Sequence, residues 1–320
     1  MDVCLMIEGQ EGVTWNDWVA LAHACESTGF EGLFRSDHYL SFSHPNERGA
    51  LDAWATVNAL AAVTERIRLG TMVSPATFRH PAELAKTVVT ADHVSRGRVE
   101  LGMGAGWFER EHEAFGFPFP STRERFDMLV EQVEIVRRLW GGEGPAVDFE
   151  GRHYRLEGCP ALPAPVQEPH PPLIIGGDAG PRSAALAARW ADEYDVVYVD
   201  PAGAAERVRR VSEACEAIGR DPATVRRSML IKAIVGADEA EVRERAAALM
   251  AWQAEDGDVD AFLEDLRAHH LAGTPDRVLQ RLAAFAAAGI QRVLVHQLVH
   301  TDLASVELIG REIVPEAARL

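Results

Sequence analysis

Residues 67–107 read IRLGTMVSPATFRHPAELAKTVVTADHVSRGRVELGMGAGW, and their order decides the fold. Ile67, Leu69, Met72 and Val73 form an apolar run too short for a helix, bounded by Gly70 and Pro75. A helix begins after Pro81, a residue favoured in a first turn, with Leu84, Val88, Ala91 and Val94 on one stripe. Gly97 supplies a left-handed stop, and Val99 to Met103 follows at once as a second strand. Strand, helix and strand in this order predict a parallel, neighbouring pair with a right-handed crossover. Both strands run into special backbone, at Thr71 to Pro75 and at Gly102 to Gly106. Ligands bind at such ends in parallel α/β architectures, so the functional site is expected there.

The same rhythm extends in both directions. Further strands are predicted at Val3 to Ile7, Phe30 to Arg35, Pro172 to Ile175, Asp195 to Val199, Ser228 to Val235 and Ile290 to Leu298. Helices follow most of them, as over Thr14 to Thr28, Leu51 to Thr64, Arg123 to Trp140 and Pro275 to Ala288. Eight strands in βα order predict an α/β protein of the (β/α)8 TIM-barrel type, one domain over residues 1–320. A doubly wound open sheet is the rival, weakened because no GxGxxG turn follows the first strand. Insertions are expected near residues 40–50, 141–171 and 253–272. The middle one holds Gly141-Gly142, six prolines and a hairpin-like FEGRHY at Phe149 to Tyr154.

Composition narrows the function. A net charge of −17 argues against a nucleic-acid partner, because little is left to neutralise phosphates. No apolar run approaches the roughly 20 residues of a membrane span, and the N-terminus lacks the basic start of a signal peptide. The cysteines, Cys4, Cys25, Cys159 and Cys215, form no CxxC pair and read as reduced thiols, which favours the cytoplasm. Only Lys86 and Lys232 among the 32 basic residues are lysines.

Four stretches carry candidate chemistry. Asp37-His38 ends the second strand, where a histidine can give or take a proton near neutral pH. Met72-Val73 lies where bulged backbone could press against a flat ring. Ala105-Gly106-Trp107 leaves the fourth strand through spaced glycines that admit close approach, with an indole face for stacking. Gly176, Gly177, Asp178, Ala179 and Gly180 precede a helix whose free amides suit a phosphate, with Asp178 expected to point out or to cap. Glu109, Glu111, His112 and Glu113 read as a solvated polar face rather than metal ligands. The first strand has no HxH pair for a metal-dependent barrel, and no metal is expected.

These pieces, in this order, resemble the luciferase-like monooxygenase superfamily and, within it, the deazaflavin (coenzyme F420)-dependent oxidoreductases. The likeness rests on GLFRSDH at residues 32–38, TERIRLGT at 64–71, GRVELGMGAGW at 97–107, FEGRHY at 149–154 and PLIIGG at 172–177. It implies a bacterial luciferase-like barrel, a homodimer, and a cofactor in the C-terminal mouth. Asp37 would match a cofactor-contacting acid and His38 the proton-handling residue beside the ring. Met72-Val73 would match a non-proline cis peptide behind the deazaflavin. Ala105, Gly106 and Trp107 would line the ring pocket, and Gly177 to Gly180 would hold the phosphate side. Sugar-phosphate dehydrogenases of this branch carry a glutamate where Trp107 stands, so a sugar phosphate is disfavoured. Phe42, Trp54, Trp107 and Phe108 suit a less polar small molecule. The expected activity is hydride transfer between the deazaflavin C5 and a small organic substrate. The rivals are an FMN-dependent monooxygenase and a non-catalytic flavin-binding protein.

Overall fold

The computed structural model describes every residue except Pro45, Gly142 and Glu143. Those residues belong to the expected loop at 40–50 and to the glycine pair of the 141–171 insertion, and that part of the reading lies outside the described residues. In chain order the elements are β1 (Asp2–Ile7), α1 (Trp15–Thr28), β2 (Gly32–Arg35), α2 (Ala53–Val63), β3 (Arg68–Pro75), α3 (Pro81–Ser95) and β4 (Val99–Gly104). Next come α4 (Glu109–Phe115), α5 (Thr122–Trp140), β5 (Ala146–Glu150), β6 (Arg155–Pro160), β7 (Leu173–Gly176), α6 (Pro181–Trp190) and β8 (Glu193–Val197). The last third holds α7 (Pro201–Ala217), β9 (Arg226–Val235), α8 (Glu239–Gln253), α9 (Val259–His269), β10 (Leu271–Gly273), α10 (Pro275–Ala287), β11 (Arg292–His296), α11 (Leu303–Leu308) and α12 (Val314–Ala317).

Strands β1, β2, β3, β4, β7, β8, β9 and β11 pair in that order, and β11 returns to β1. Every neighbour in the ring is parallel, so the sheet closes into a (β/α)8 barrel. β5 and β6 form a separate antiparallel ribbon within the expected middle insertion. β10 extends the top of β9 beside α8 and α9.

Local chemistry accounts for the helix ends. Thr14 and Asp17 form a capping box on α1, and Gly29 closes it with φ 90°. α3 stops earlier than glycine alone would dictate, because Arg96 already turns left-handed (φ 59°) before Gly97 (φ 87°). Leu84, Val88 and Ala91 are buried on its stripe, whereas Val94 faces solvent. The expected single C-terminal helix is interrupted by a π-helical turn over Ile309–Ile313.

Alternation along each strand layers the barrel interior. At the floor, Arg292 of β11 donates to Glu100 of β4 at 2.7 and 3.0 Å and to Glu193 of β8 at 3.0 Å. Above it Cys4, Met6, Phe34, Ile174, Leu230 and Leu294 fill an apolar plug with Met72. Strand ends above that plug surround a cavity. Among the described residues, no helix is long and apolar enough to cross a membrane.

Candidate active site

The cavity has a volume of about 570 Å³ and opens at the C-terminal ends of the barrel strands. One wall is nearly all backbone and apolar side chain. In it, Met72 and Val73 of β3 stand opposite Gly102 of β4, a β-bulge between the Thr71–Leu101 and Ser74–Met103 pairings. The Met72–Val73 peptide is cis. A Cβ at Gly102 would lie 2.2 Å from the Thr71 carbonyl oxygen, and one at Gly104 2.6 Å from Val73 Cγ2. Those glycines therefore seat the bulge rather than admit a ligand, which corrects the reading of the spaced glycines. Gly106, at φ 80°, does line the cavity, as do Trp107, Gly176 and Gly177.

Asp37 stands behind this wall and does not face the cavity. Its Oδ2 accepts from Ser74 Oγ (2.7 Å) and Arg79 Nη1 (2.5 Å), and Trp54 Nε1 donates to Ser74 Oγ at 2.9 Å. Asp37 and Trp54 thus anchor the end of the bulge, and Trp54 is no part of the aromatic lining. The other Asp37 oxygen, Oδ1, is buried without a partner among the described residues. Ala105 likewise packs toward the hydrophobic core and not the cavity.

His38 projects into the space from the end of β2. Its Nδ1 pairs with Glu111 Oε2 at 2.7 Å, and Leu40 donates its amide to Glu111 Oε1 at 3.0 Å. Tyr39 gives its amide to the same oxygen. Burial pushes the His38 ring pKa down, but the hydrogen bond and charge of Glu111, aided by Glu8 and Asp37, outweigh it and raise the value. Phe42, Trp107 and Phe108 surround the imidazole edge-on, with ring centroids 5.1–6.2 Å away.

Glu111 and His112 overturn the expectation of a solvated face. Short helix α4 turns both inward, fully buried, while Glu109 and Glu113 stay exposed. His112 is held by Thr77 Oγ1 at 2.6 Å and the Phe108 carbonyl at 2.7 Å.

The loop before α6 divides. Asp178 points to solvent, where Arg207 binds it at 2.7 Å. Ala179 turns its amide inward to Tyr194 Oη at 2.7 Å, so that amide is not free for an anion. Gly180 caps α6 without a side-chain acceptor, and Pro181 occupies the first helical position. The first-turn amides of Arg182 and Ser183 are left for an outside partner. Asp178, Ala179 and Gly180 lie beyond the cavity edge that Gly177 marks.

The opposite wall holds side chains that the sequence reading did not assign to the site: Glu8, Tyr198, Lys232 and His296, from β1, β8, β9 and β11. Glu8, Tyr198 and His296 lie at or just past C-terminal strand ends, so the rule that pointed to His38 could have found them, whereas Lys232 lies three residues before the end of β9. Glu111 could not be found that way, because it reaches His38 from a helix 73 residues downstream.

A closed parallel barrel with titratable groups around its C-terminal mouth defines a TIM-barrel enzyme. Residues 3–292 match the family described as luciferase-like monooxygenase, and the chain belongs to that family. It is 34% identical over 244 residues to the F420-dependent hydroxymycolic acid dehydrogenase of Mycobacterium tuberculosis, covering 76% of this chain and 64% of that one. The chain thus spans under two thirds of that relative's length. It is 28% identical over 318 residues to the F420-dependent glucose-6-phosphate dehydrogenase of Microbacterium testaceum, covering 94% and 93% of the two chains. Its fold matches an F420-dependent secondary alcohol dehydrogenase solved with an F420-acetone adduct, with a TM-score of 0.81, 23% identity, and 99% and 98% of the chains covered.

Proposed function

We propose that this chain is an F420-dependent oxidoreductase that moves hydride between C5 of the deazaflavin and a small organic substrate. The observation that carries this reading is the His38–Glu111 pair opening into an apolar cavity beside the Met72–Val73 bulge. The names of the two relatives and of the structural match all describe F420-dependent dehydrogenases, which supports the same choice.

The residues present fit such a cofactor. A cavity of about 570 Å³ is within the usual size for a ligand of this kind. The bulge, Gly106 and Trp107 would hold the ring, and Gly176 and Gly177 would pass its side chain toward the α6 N-terminus. There the uncapped amides of Arg182 and Ser183 would meet a phosphate. Asp37 supports this wall from behind through Ser74. When bound, the deazaflavin supplies the hydride chemistry.

His38 holds or releases a proton at Nε2 beside the ring, while Glu111 fixes Nδ1 and keeps the imidazolium form available to higher pH. Phe42, Trp107 and Phe108 exclude water from that proton and give an apolar substrate its contact area. The resemblance further supports a homodimer of this one-domain chain, working in the cytoplasm.

Titration of the purified apoprotein with F420 and FMN side by side, followed by fluorescence, tests the cofactor. Tighter binding of F420 is expected; preferential FMN binding would replace this reading with a flavin monooxygenase on the same barrel.

A further inference from the structure

The wall facing the bulge holds a row of titratable groups that the reading above leaves unused. Tyr198 follows β8 in a left-handed turn (φ 47°) and lines the cavity, 40% exposed. Its phenol oxygen is hydrogen-bonded to His296 Nδ1, and the two rings lie stacked at 6.1 Å with 8° between their planes. On the far side of the imidazole, Nε2 is 3.0 Å from Glu8 Oε1. That approach is off the line of a hydrogen bond, and Nε2 stays a buried polar atom without a hydrogen-bond partner among the described residues. Phenol, imidazole and carboxylate therefore stand in sequence from three strand ends. Of the first two, the imidazole is only 2% exposed, so the phenol is the one that meets the open cavity.

Charge sets the direction of this row. Burial works to raise the Glu8 carboxyl, but His296 and then His38 outweigh it and hold the value at about 2. Glu8 is thus an anion throughout the working range. Burial, joined by the charges of Glu8 and Asp195, pushes the Tyr198 phenol well above its ordinary value, so it remains protonated. A carboxylate beside Nε2 favours the proton there, leaving Nδ1 to accept from the Tyr198 hydroxyl. Lone pairs of Tyr198 Oη are then available on the cavity side.

We propose that Tyr198, His296 and Glu8 form a proton relay, with Tyr198 as the catalytic residue that exchanges a proton with the hydroxyl or carbonyl oxygen of the substrate. His296 and Glu8 act through it as positioning residues. The inference rests on the oxidoreductase reading and narrows its substrate to a compound reacting at a carbinol or carbonyl carbon. In the oxidising direction the substrate O–H bond breaks, a new O–H bond forms on Oη, and the former phenolic proton passes to Nδ1. The imidazolium so formed faces the Glu8 carboxylate. The relay carries one proton and no electrons; the hydride travels separately, with the redox cofactor. His38 and Glu111, on the bulge side, keep the proton at the ring.

Other charged groups stand around the relay. Lys232 Nζ of β9 lies 5.7 Å from the Tyr198 ring centre, and it makes no ion pair among the described residues. His270, after α9, meets the Tyr198 ring edge-on at 5.5 Å. Burial and then Lys232 lower its pKa to about 4, so it adds no charge near neutrality. Asp195 lies two residues below Val197 on the same inner face of β8.

Two measurements test the relay. Nitrogen-15 NMR of the imidazoles in cofactor-free protein should show His296 as the Nε2–H tautomer. Its Nδ1 signal should move in Tyr198→Phe, and the Nε2–H tautomer should lose its preference in Glu8→Gln. A neutral His296 carrying its proton on Nδ1, or a Glu8→Gln variant with an unchanged tautomer, would overturn the relay. The second measurement follows F420 reduction by a panel of secondary alcohols from 2-propanol to cyclohexanol. Tyr198→Phe should lower turnover about 100-fold or more while F420 binding is kept. Turnover within twofold of the wild type overturns the role of Tyr198. A wild-type protein that binds F420 but oxidises none of the panel overturns the substrate class. A protein that binds only FMN instead overturns the deazaflavin reading and leaves the NMR result to judge the relay.

Discussion

At the floor of the barrel, Arg292 is enclosed by Glu100 and Glu193, and the apolar plug separates all three from the mouth cavity. At the mouth, His38 meets Glu111 with one ring nitrogen held and the other turned to a cavity of about 570 Å³. Both are buried acid–base clusters, the floor one built from three strands meeting across the barrel and the mouth one from the end of β2 and helix α4. The floor cluster, which Arg68 extends through Glu100, has its strong ion pairs among its own members, so removing one leaves a buried charge under-compensated. The mouth cluster leaves donors and acceptors directed at open volume, which is the condition for exchanging a proton with a ligand. Perturbed titration alone does not separate them: burial, joined by the Glu100 charge against the opposing pull of Arg292, raises Glu193 to about 7 at the floor too. Exposure to the cavity at the C-terminal mouth makes the difference.

That contrast can be broken most forcefully at His38. His38→Ala should lower turnover by about 10²–10⁴-fold while cofactor binding, read by fluorescence titration, is kept. Unchanged turnover would remove the mouth cluster from the chemistry. Arg292→Leu should act on stability instead, costing about 3–5 kcal/mol in chemical denaturation because Glu100 and Glu193 lose the buried cation they share and only Arg68 still pairs with Glu100. A stable variant would mean that the floor carboxylates protonate freely.

Gly102→Ala probes what joins the two ends. The added methyl meets the Thr71 carbonyl at 2.2 Å, where backbone has to give, so a loss of about 1–3 kcal/mol is expected by calorimetry together with weaker cofactor binding. The smallest change is sought in Glu111→Gln. Loss of the carboxylate charge leaves burial dominant, so the NMR titration of His38 should move to lower pH. The sign carries over to stability. A raised imidazole pKa contributes fully below the ordinary value of about 6.5 and is lost as pH rises through the raised one. The variant should therefore lose more stability, relative to the wild type, at pH 5–6 than at pH 9. An equal loss at both would remove the charge of Glu111 as the cause.

Much of the barrel was legible because its signals are local. Pro81 at the start of α3, Gly29 after α1 and the short apolar strands each state their conformation within a few residues. His38, Met72, Val73, Gly106, Trp107, Gly176 and Gly177 all reach the cavity wall, since strand ends share one rim. Asp37 and Ala105 share the same stretches yet face away, because side-chain direction beyond a strand end depends on the turn that follows. The 109–113 segment misled for a related reason. Its charges look solvated in sequence, but one turn of α4 buries Glu111 against a histidine from another strand.

By itself the sequence determined the βα period, the caps and the end of the barrel where chemistry gathers, because these follow from spacing and from the conformational limits of glycine and proline. Only the tertiary structure decided that Glu111 serves His38, that Gly102 and Gly104 seat Val73, and that Tyr198, His296 and Glu8 stand in a row. Those contacts join residues from 29 positions apart (Val73 and Gly102) to 288 (Glu8 and His296). They exist because ring closure brings first and last strands together, and no local pattern encodes which side chains then meet.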